Sequence, residues 1–475
     1  MTWRCALRNP HARPGILPGQ GLRSHVVPSR LMPAVAARFA PFVIATLIAA
    51  GCAIVPVRPS ASPGLPTPVR QVLPNGVRVI VQDHLASDVT ALQLWVRAGG
   101  RDEAANELGL AHYLEHMLFK GTTSRPTGFI DRDVEGVGGR MNAGTSLDYT
   151  YYHMVLPATK TGAAIELLAD ISVNASLDAS VLEAEKRVVL EEMRLSEDNP
   201  RVFLSRRLQE AVFEGHPYGR PVLGTSELVR GLSRETLLAF YRRLYVPEAF
   251  TLVVVGPVSP SEVVDRARRS FGRLPRGGSL PLPAPPAPAF RQRQIEMTRP
   301  GTQTYLGMAW QAPRLDHPDL AAVDLLIAIL GQTRTSRLTR SLRDDLGLVT
   351  TVGSRYTALE AGGVVMVTAQ MERTNLARVE SEVLRELRRM RDEGVTEAER
   401  RRAITAAEAQ HEFANETAEG RAQALGRAET IWRLEDELAY LDRLRTVTRA
   451  QIQAVARKYL DPDRYVRVTF LPAPP

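Results

Sequence analysis

Leu232-Ser-Arg-Glu-Thr-Leu-Leu-Ala-Phe-Tyr-Arg-Arg-Leu-Tyr-Val-Pro-Glu-Ala-Phe-Thr-Leu-Val-Val-Val255 is the stretch from which the architecture can be read. It aligns without gaps, 215 residues later, with Val447-Thr-Arg-Ala-Gln-Ile-Gln-Ala-Val-Ala-Arg-Lys-Tyr-Leu-Asp-Pro-Asp-Arg-Tyr-Val-Arg-Val-Thr-Phe470. Each copy reads as a capped helix, a proline stop and an apolar strand, with Pro247 matching Pro462 and Phe250 matching Tyr465. A unit repeated at that distance predicts two halves of about 200 residues, a normal domain size. Between them Pro275-Arg-Gly-Gly-Ser-Leu-Pro-Leu-Pro-Ala-Pro-Pro-Ala-Pro288 reads as a semi-rigid linker. The expected fold is α+β: two homologous α/β sandwich-like half-domains, each an antiparallel-rich sheet packed with helices. Their expected limits are 69–274 and 291–475, with the linker over 275–290.

The first half carries the chemistry. Pro74-Asn75-Gly76 is a turn between two strand patterns, and Val89 to Ala98 alternates before Gly99-Gly100 breaks it. Then comes Gly109-Leu-Ala-His-Tyr-Leu-Glu-His-Met-Leu-Phe-Lys-Gly121, with apolar residues at three- and four-residue spacing. On a helix His112 and His116 stack one turn apart on one face, so both imidazoles can converge on one metal ion. Glu115 borders that face, a position suited to a carboxylate that acts on water rather than on the metal. With 9 His in the chain, the five-residue motif alone is only suggestive.

A metal site of this kind needs a third protein ligand. Leu182 to Pro200 reads as a second helix, ended by Asn199-Pro200 and carrying Glu183, Glu185, Glu191, Glu192 and Glu197. Spacing leaves open which of them reaches the metal.

These two stretches, with the ordered series Leu73-Pro-Asn-Gly-Val-Arg-Val79, Gly138-Gly-Arg-Met-Asn-Ala143, His216-Pro-Tyr-Gly219, Ser336-Arg-Leu338 and Leu342-Arg-Asp-Asp-Leu-Gly347, resemble the pitrilysin/insulinase-type zinc metallopeptidases. That group includes mitochondrial processing peptidase and carries His-x-x-Glu-His. The resemblance runs from about residue 66 to the C-terminus. It implies one zinc per chain, held by His112, His116 and Glu192, which lies 76 residues beyond His116. It also implies Glu115 as general base and Glu185 as a supporting acid. Asn142 and Ala143 would lie on an exposed edge strand along which a substrate peptide pairs. The implied activity is endopeptidase cleavage of unfolded or short peptides. The alternative is a non-catalytic scaffold or assembly subunit of the same fold. His153, within a strand, and His216, in a turn, read as structural.

The second half has no such motif. Its histidines, His317 and His411, are far apart in sequence, and Asp324 to Gly331 occupies the equivalent helix without a ligand. Related enzymes use an Arg here and a Tyr seven residues later to hold the substrate. Arg343 matches the Arg, but the Tyr position is Thr350, and Tyr356 lies six residues further on. The resemblance therefore implies a heterodimer, in which a zinc-less homologous subunit supplies the missing donor, or else a homodimer.

The N-terminus reads as targeting sequence. Residues 1–51 form an expected signal peptide, with Met32 as an alternative start, because a positive region precedes an apolar core of about a dozen residues. Ala49-Ala50-Gly51-Cys52 resembles a bacterial lipobox, which makes Cys52 the expected lipidation site. The proline-rich stretch over 52–68 would then tether the protein to a membrane. The expected location is the bacterial cell envelope, as a periplasm-facing lipoprotein of the outer membrane. The two cysteines are Cys5 and Cys52, so no disulfide is expected after processing. The formal charge of +8 is scattered along the chain without a recognisable nucleic-acid module, and no nucleic-acid partner is expected.

Overall fold

A computed structural model of the chain describes residues 66–278, 285–287 and 289–473. The expected signal segment with Met32, Cys52, most of the tether, and linker residues 279–284 and 288 lie outside the described residues.

Among the described residues eleven strands build two sheets. The first half supplies β1 (Val69–Val72), β2 (Arg78–Asp83), β3 (Val89–Val96), β4 (Arg140–Thr145), β5 (Thr150–Pro157) and β6 (Phe250–Gly256). The second supplies β7 (Arg293–Arg299), β8 (Thr304–Ala312), β9 (Thr351–Ala358), β10 (Gly363–Met371) and β11 (Val466–Pro472). Their orders are β1-β2-β6-β3-β5-β4 and β7-β11-β8-β10-β9. With β1 set aside, the two orders correspond strand for strand. β2 with β6 and β7 with β11 pair in parallel, and the remaining neighbours are antiparallel. The repeated stretch is thus one part of a duplicated topology. β4 and β9, which correspond, are both edge strands.

Eight of the described helices bear on the site and on the exchange between the halves. They are α1 (Leu110–Leu118), α2 (Ala179–Asp198), α3 (Pro200–Val212), α4 (Arg234–Leu244), α5 (Leu320–Ile327), α6 (Glu397–Asn415), α7 (Ala418–Ile431) and α8 (Arg449–Tyr459). The repeat units start at matching caps: the Ser233 side chain accepts from Thr236 N–H before α4, and Thr448 accepts from Gln451 N–H before α8. Pro200 does more than stop α2. Asn199 ends α2 and its side chain accepts from the first amides of α3, while Pro200 takes the first helical turn, where its missing N–H costs nothing.

The central strands of both sheets are buried on both faces. In β3, Leu92, Leu94 and Val96 face the main core of the first half, while Ala91 and Trp95 face the other way. That second face is covered by α7, which comes from the second half and brings Ala418, Ala422 and Leu425. The reverse holds for the second sheet. There α3, from the first half, lays Leu204, Leu208 and Val212 over Ala309, Val364, Met366, Val466, Val468 and Phe470. Burial on both faces explains why β6 reads as an unbroken apolar run rather than an alternating one.

A buried ionic cluster joins the halves beside these layers. Arg101 pairs with Asp148 at 2.9 Å and with Glu360 of the second half at 2.8 Å. Asp148 also accepts the Tyr218 hydroxyl at 2.6 Å, and Tyr218 in turn accepts the Ala361 amide at 2.9 Å. A buried charge costs several kcal/mol unless paired and hydrogen-bonded, and here each ion has more than one partner. No helix among the described residues is long and apolar enough to cross a membrane.

At Gly426, α7 lies hard against the first sheet. A Cβ there would lie 2.0 Å from Trp95 Nε1, on a tryptophan with no solvent exposure. Ala is favoured over Gly within a helix by up to about 1 kcal/mol, but overpacking a rigid core costs about 1–3 kcal/mol. Gly426→Ala should therefore destabilise the protein and lower its denaturation midpoint. An unchanged or raised midpoint would show that α7 sits farther from β3 than this packing requires.

Candidate active site

The helix that carries the paired histidines is held at its N-terminus by an acid that no sequence motif marks. Gly109, at φ 96°, begins α1 without a side-chain cap. Instead the buried carboxylate of Glu103 accepts from Gly109 N–H at 3.0 Å and Ala111 N–H at 2.8 Å. An acid at that end complements the helix dipole as well as the free amides. Gly109 and Gly224 let two backbone segments meet. A Cβ on Gly224 would lie 2.3 Å from Leu108 O, so the loop carrying Arg220 to Leu223 lies directly against the start of α1.

On α1 the rings of His112 and His116 lie 4.7 Å apart, centroid to centroid. From α2, Glu192 brings Oε2 to 3.5 Å from Nε2 of each histidine. The ligand-type atoms of these three residues all lie within 4.8 Å of one another. Donors held tetrahedrally at about 2.0–2.2 Å from one zinc ion would be roughly 3.3–3.6 Å apart, which matches the two 3.5 Å separations of Glu192 from the histidines. Glu192 Oε2 is also buried without a hydrogen-bond partner, as is Nδ1 of His112. An orphaned carboxylate oxygen between two imidazoles is unfavourable unless a cation joins it. The three residues fit a zinc ion.

The surroundings set their protonation. Burial, with the neighbouring His116, lowers His112 to about 4, so its ring is neutral and able to donate a lone pair. Burial acts on Glu192 and Glu185 in the opposite sense, but the histidines outweigh it for Glu192 and hold it below the usual carboxylate value. For Glu185, His116 and Lys120 do the same. Glu185 Oε1 lies 2.9 Å from His116 Nδ1, while its Oε2 lies 3.0 Å from Lys120 Nζ. It can accept the Nδ1 proton and so aim the Nε2 lone pair toward Glu192. Glu191 instead faces solvent and pairs with Arg194.

Glu115 is buried beside the three donors, and burial pushes it up to about 7. Thr145 at the end of β4 donates its hydroxyl to Glu115 Oε2. These residues open on a cavity of about 240 Å³. Its walls include Val222 and Leu223 from the loop on α1, Arg206 and Gln209 from α3, and Arg355, Thr357, Leu359 and Met366 from the second half.

Asn142 and Ala143 do lie on the edge strand β4, where Ala143 N–H donates to Asn142 Oδ1 at 2.9 Å. Arg343 is not brought to this cavity. It lies in a helical turn, Thr339–Asp345, and pairs with its neighbour Asp344 at 2.8 Å. Thr350 N–H bonds Gln370 O at the start of β9. Tyr356 packs against the core of the second half and donates to Pro313 O at 2.7 Å. The β9 residues that line the cavity are its neighbours Arg355 and Thr357.

The other histidines lie apart from the metal-type cluster. His216 bonds Pro285 O and accepts from Tyr218 N–H, and His153 pairs with Glu419 of α7. On α5 the half-buried Asp324 accepts the Tyr440 hydroxyl, and no ligand cluster forms there among the described residues. Lys120, Thr145, Glu103 and Arg355 went unnoticed in the sequence. For Lys120 a signal existed, since it follows His116 by four residues; the other three reach the site through tertiary contacts.

The sequence model of the family described as Insulinase (Peptidase family M16) matches residues 78–226, and that of the Peptidase M16 inactive domain matches residues 231–407. An uncharacterized zinc protease of Mycobacterium tuberculosis is 32% identical over 413 residues, which is 85% of this chain and 94% of that protein. The uncharacterized zinc protease YmxG of Bacillus subtilis is 27% identical over 330 residues, 70% of this chain and 80% of that one. Among solved structures, a protease from Helicobacter pylori superposes with a TM-score of 0.81 at 23% identity, covering 86% of this chain and 100% of that chain. A peptidase M16 inactive domain from Pseudomonas fluorescens gives 0.79 at 22% identity, covering 86% and 98%. The duplicated fold, an inert second half and the match across both halves lead to one conclusion: the chain belongs to the insulinase family of zinc proteases, peptidase family M16.

Proposed function

We propose that this chain is a zinc-dependent endopeptidase acting on unfolded or short peptides. The observation that carries the reading is the convergence of His112, His116 and an otherwise orphaned Glu192 oxygen beside the buried Glu115. In this reading His112, His116 and Glu192 hold the metal and Glu185, backed by Lys120, orients His116. Zinc bound there would supply Lewis acidity, lowering the pKa of water toward neutrality and polarising the scissile carbonyl. Glu115 takes the proton of the attacking water and passes it to the departing amine. Thr145 fixes one carboxylate oxygen and leaves the other to face the reacting atoms.

A peptide would enter as an added strand on β4, with Asn142 and Ala143 supplying its contacts. The Asn142 side chain must then release the Ala143 amide, which the substrate backbone would engage in its place. An extended segment fits this mode and a folded protein does not. Thr350 cannot place a phenol-like donor at a developing oxyanion, which supports a heterodimer whose zinc-less subunit supplies it; a homodimer is the alternative. Cys52 and the proline-rich tether would hold the enzyme in the cell envelope, facing the periplasm.

Cleavage of a quenched, unstructured peptide, with zinc measured on the same sample, tests the activity. Chelation should abolish turnover and zinc should restore it. Glu115→Gln should keep its zinc and lose about 10²–10⁴-fold in kcat, the range for a positioned acid–base; retained turnover would reassign the base. Glu185→Gln should weaken zinc affinity by about 10–100-fold in a chelator competition, without unfolding the protein. Equal affinity would remove Glu185 from the site. Purification from the native host should bring down a zinc-less homologue, and an active homodimer alone would refute the heterodimer.

A further inference from the structure

The cavity carries positive charge that the hydrolytic reaction does not use. Arg206, Arg220 and Arg355 all line it. Arg206 is occupied, lying 3.1 Å from Glu197 and 3.5 Å from Glu210. Among the described residues Arg220 meets only a neutral acceptor, the Glu103 carbonyl. The Arg355 guanidinium has neither a hydrogen bond nor an ion pair with any described residue.

The acids on the same wall do not offset these two. Glu210 is taken by Arg206 and Arg207, and Glu115 and Glu192 face the metal centre. On β9, Arg355 shares a face with Thr357, and its cross-strand partner on β10 is Met366. Met366, Leu359 and Val222 give that part of the cavity an apolar lining. Arg355 itself is exposed, and the planar fork of its guanidinium suits a carboxylate. Tyr356, on the opposite face of the strand, cannot serve the cavity, so the polar reach of this wall rests on Arg355 and Thr357.

We infer that the cleft selects substrates presenting a carboxylate, received by Arg355 with Arg220 on the facing loop. The inference rests on the peptidase reading and specifies its substrate class. The carboxylate comes from an Asp or Glu side chain near the scissile bond, or from the free C-terminus of a short peptide.

The test uses the zinc-loaded full protein and unstructured peptides of one core sequence. They carry Glu, Gln or Lys near the scissile bond, each with a free or an amidated C-terminus. At least one comparison, Glu over Gln or free acid over amide, should favour the carboxylate by about tenfold in kcat/KM, and which one does so identifies its source. Arg355→Gln should bring that ratio toward one, and Arg355→Glu should turn the preference toward Lys. Arg194→Gln, an exposed change on the outer side of α2, should leave the ratio as in the native chain. Chelator-sensitive cleavage without discrimination would overturn the inference and leave the peptidase reading intact. Absence of cleavage of every peptide would count against the peptidase reading. The same peptides titrated onto the zinc-loaded protein by fluorescence anisotropy would then decide the inference: tighter binding of the carboxylate forms supports it, and equal binding overturns it.

Discussion

Each half of this molecule covers a sheet that belongs to the other, and most of the remaining structure depends on that exchange. A sheet with two apolar faces cannot stand with one of them in water. α7 hides Trp95 and the outer side of β3 and β6, while α3 hides the outer side of β8, β10 and β11. The helices leave their own halves at sharp junctions, Asn199-Pro200 in one and Thr417 in the other, where side-chain caps let one helix end and the next begin. The buried cluster of Arg101, Asp148, Tyr218 and Glu360 then adds direction to a contact that apolar packing alone would leave free to slide.

The same exchange builds the cavity. α2 carries Glu192, and α3 continues from it onto the second sheet, so the metal-type cluster and the second half are linked by one short junction. That is how Arg355 and Thr357 come to line a space with His112 and Glu115, although some 240 residues separate them in the chain. The two halves line that space differently: the first brings the cluster of His112, His116 and Glu192, the second brings Arg355, Thr357, Leu359 and Met366.

Much of this was legible in the sequence wherever the signal was local. The two-half plan could be read from the repeat because a capped helix, a proline stop and an apolar strand leave the same mark twice. His112 and His116 share a helical face because four residues make about one turn. Glu192 was different: spacing along α2 could not separate it from Glu185 or Glu191, and only the family resemblance picked it out. The structure shows why they differ, since Glu191 faces solvent while Glu185 lies behind His116 rather than beside both rings. Arg343 and Arg355 show the limit of such reading. Which of two arginines reaches a cavity is decided by the facing of β9 and by how the halves pack. No local pattern records either.

A protein whose two halves trade helices resembles a domain-swapped homodimer whose subunits have been joined end to end. In such an arrangement neither copy is a complete folding unit. The second half needs no ligand cluster, and none forms on α5 among the described residues, to be indispensable, because without it the first half would bare the tryptophan side of its own sheet. The inert copy persists as the other half's roof.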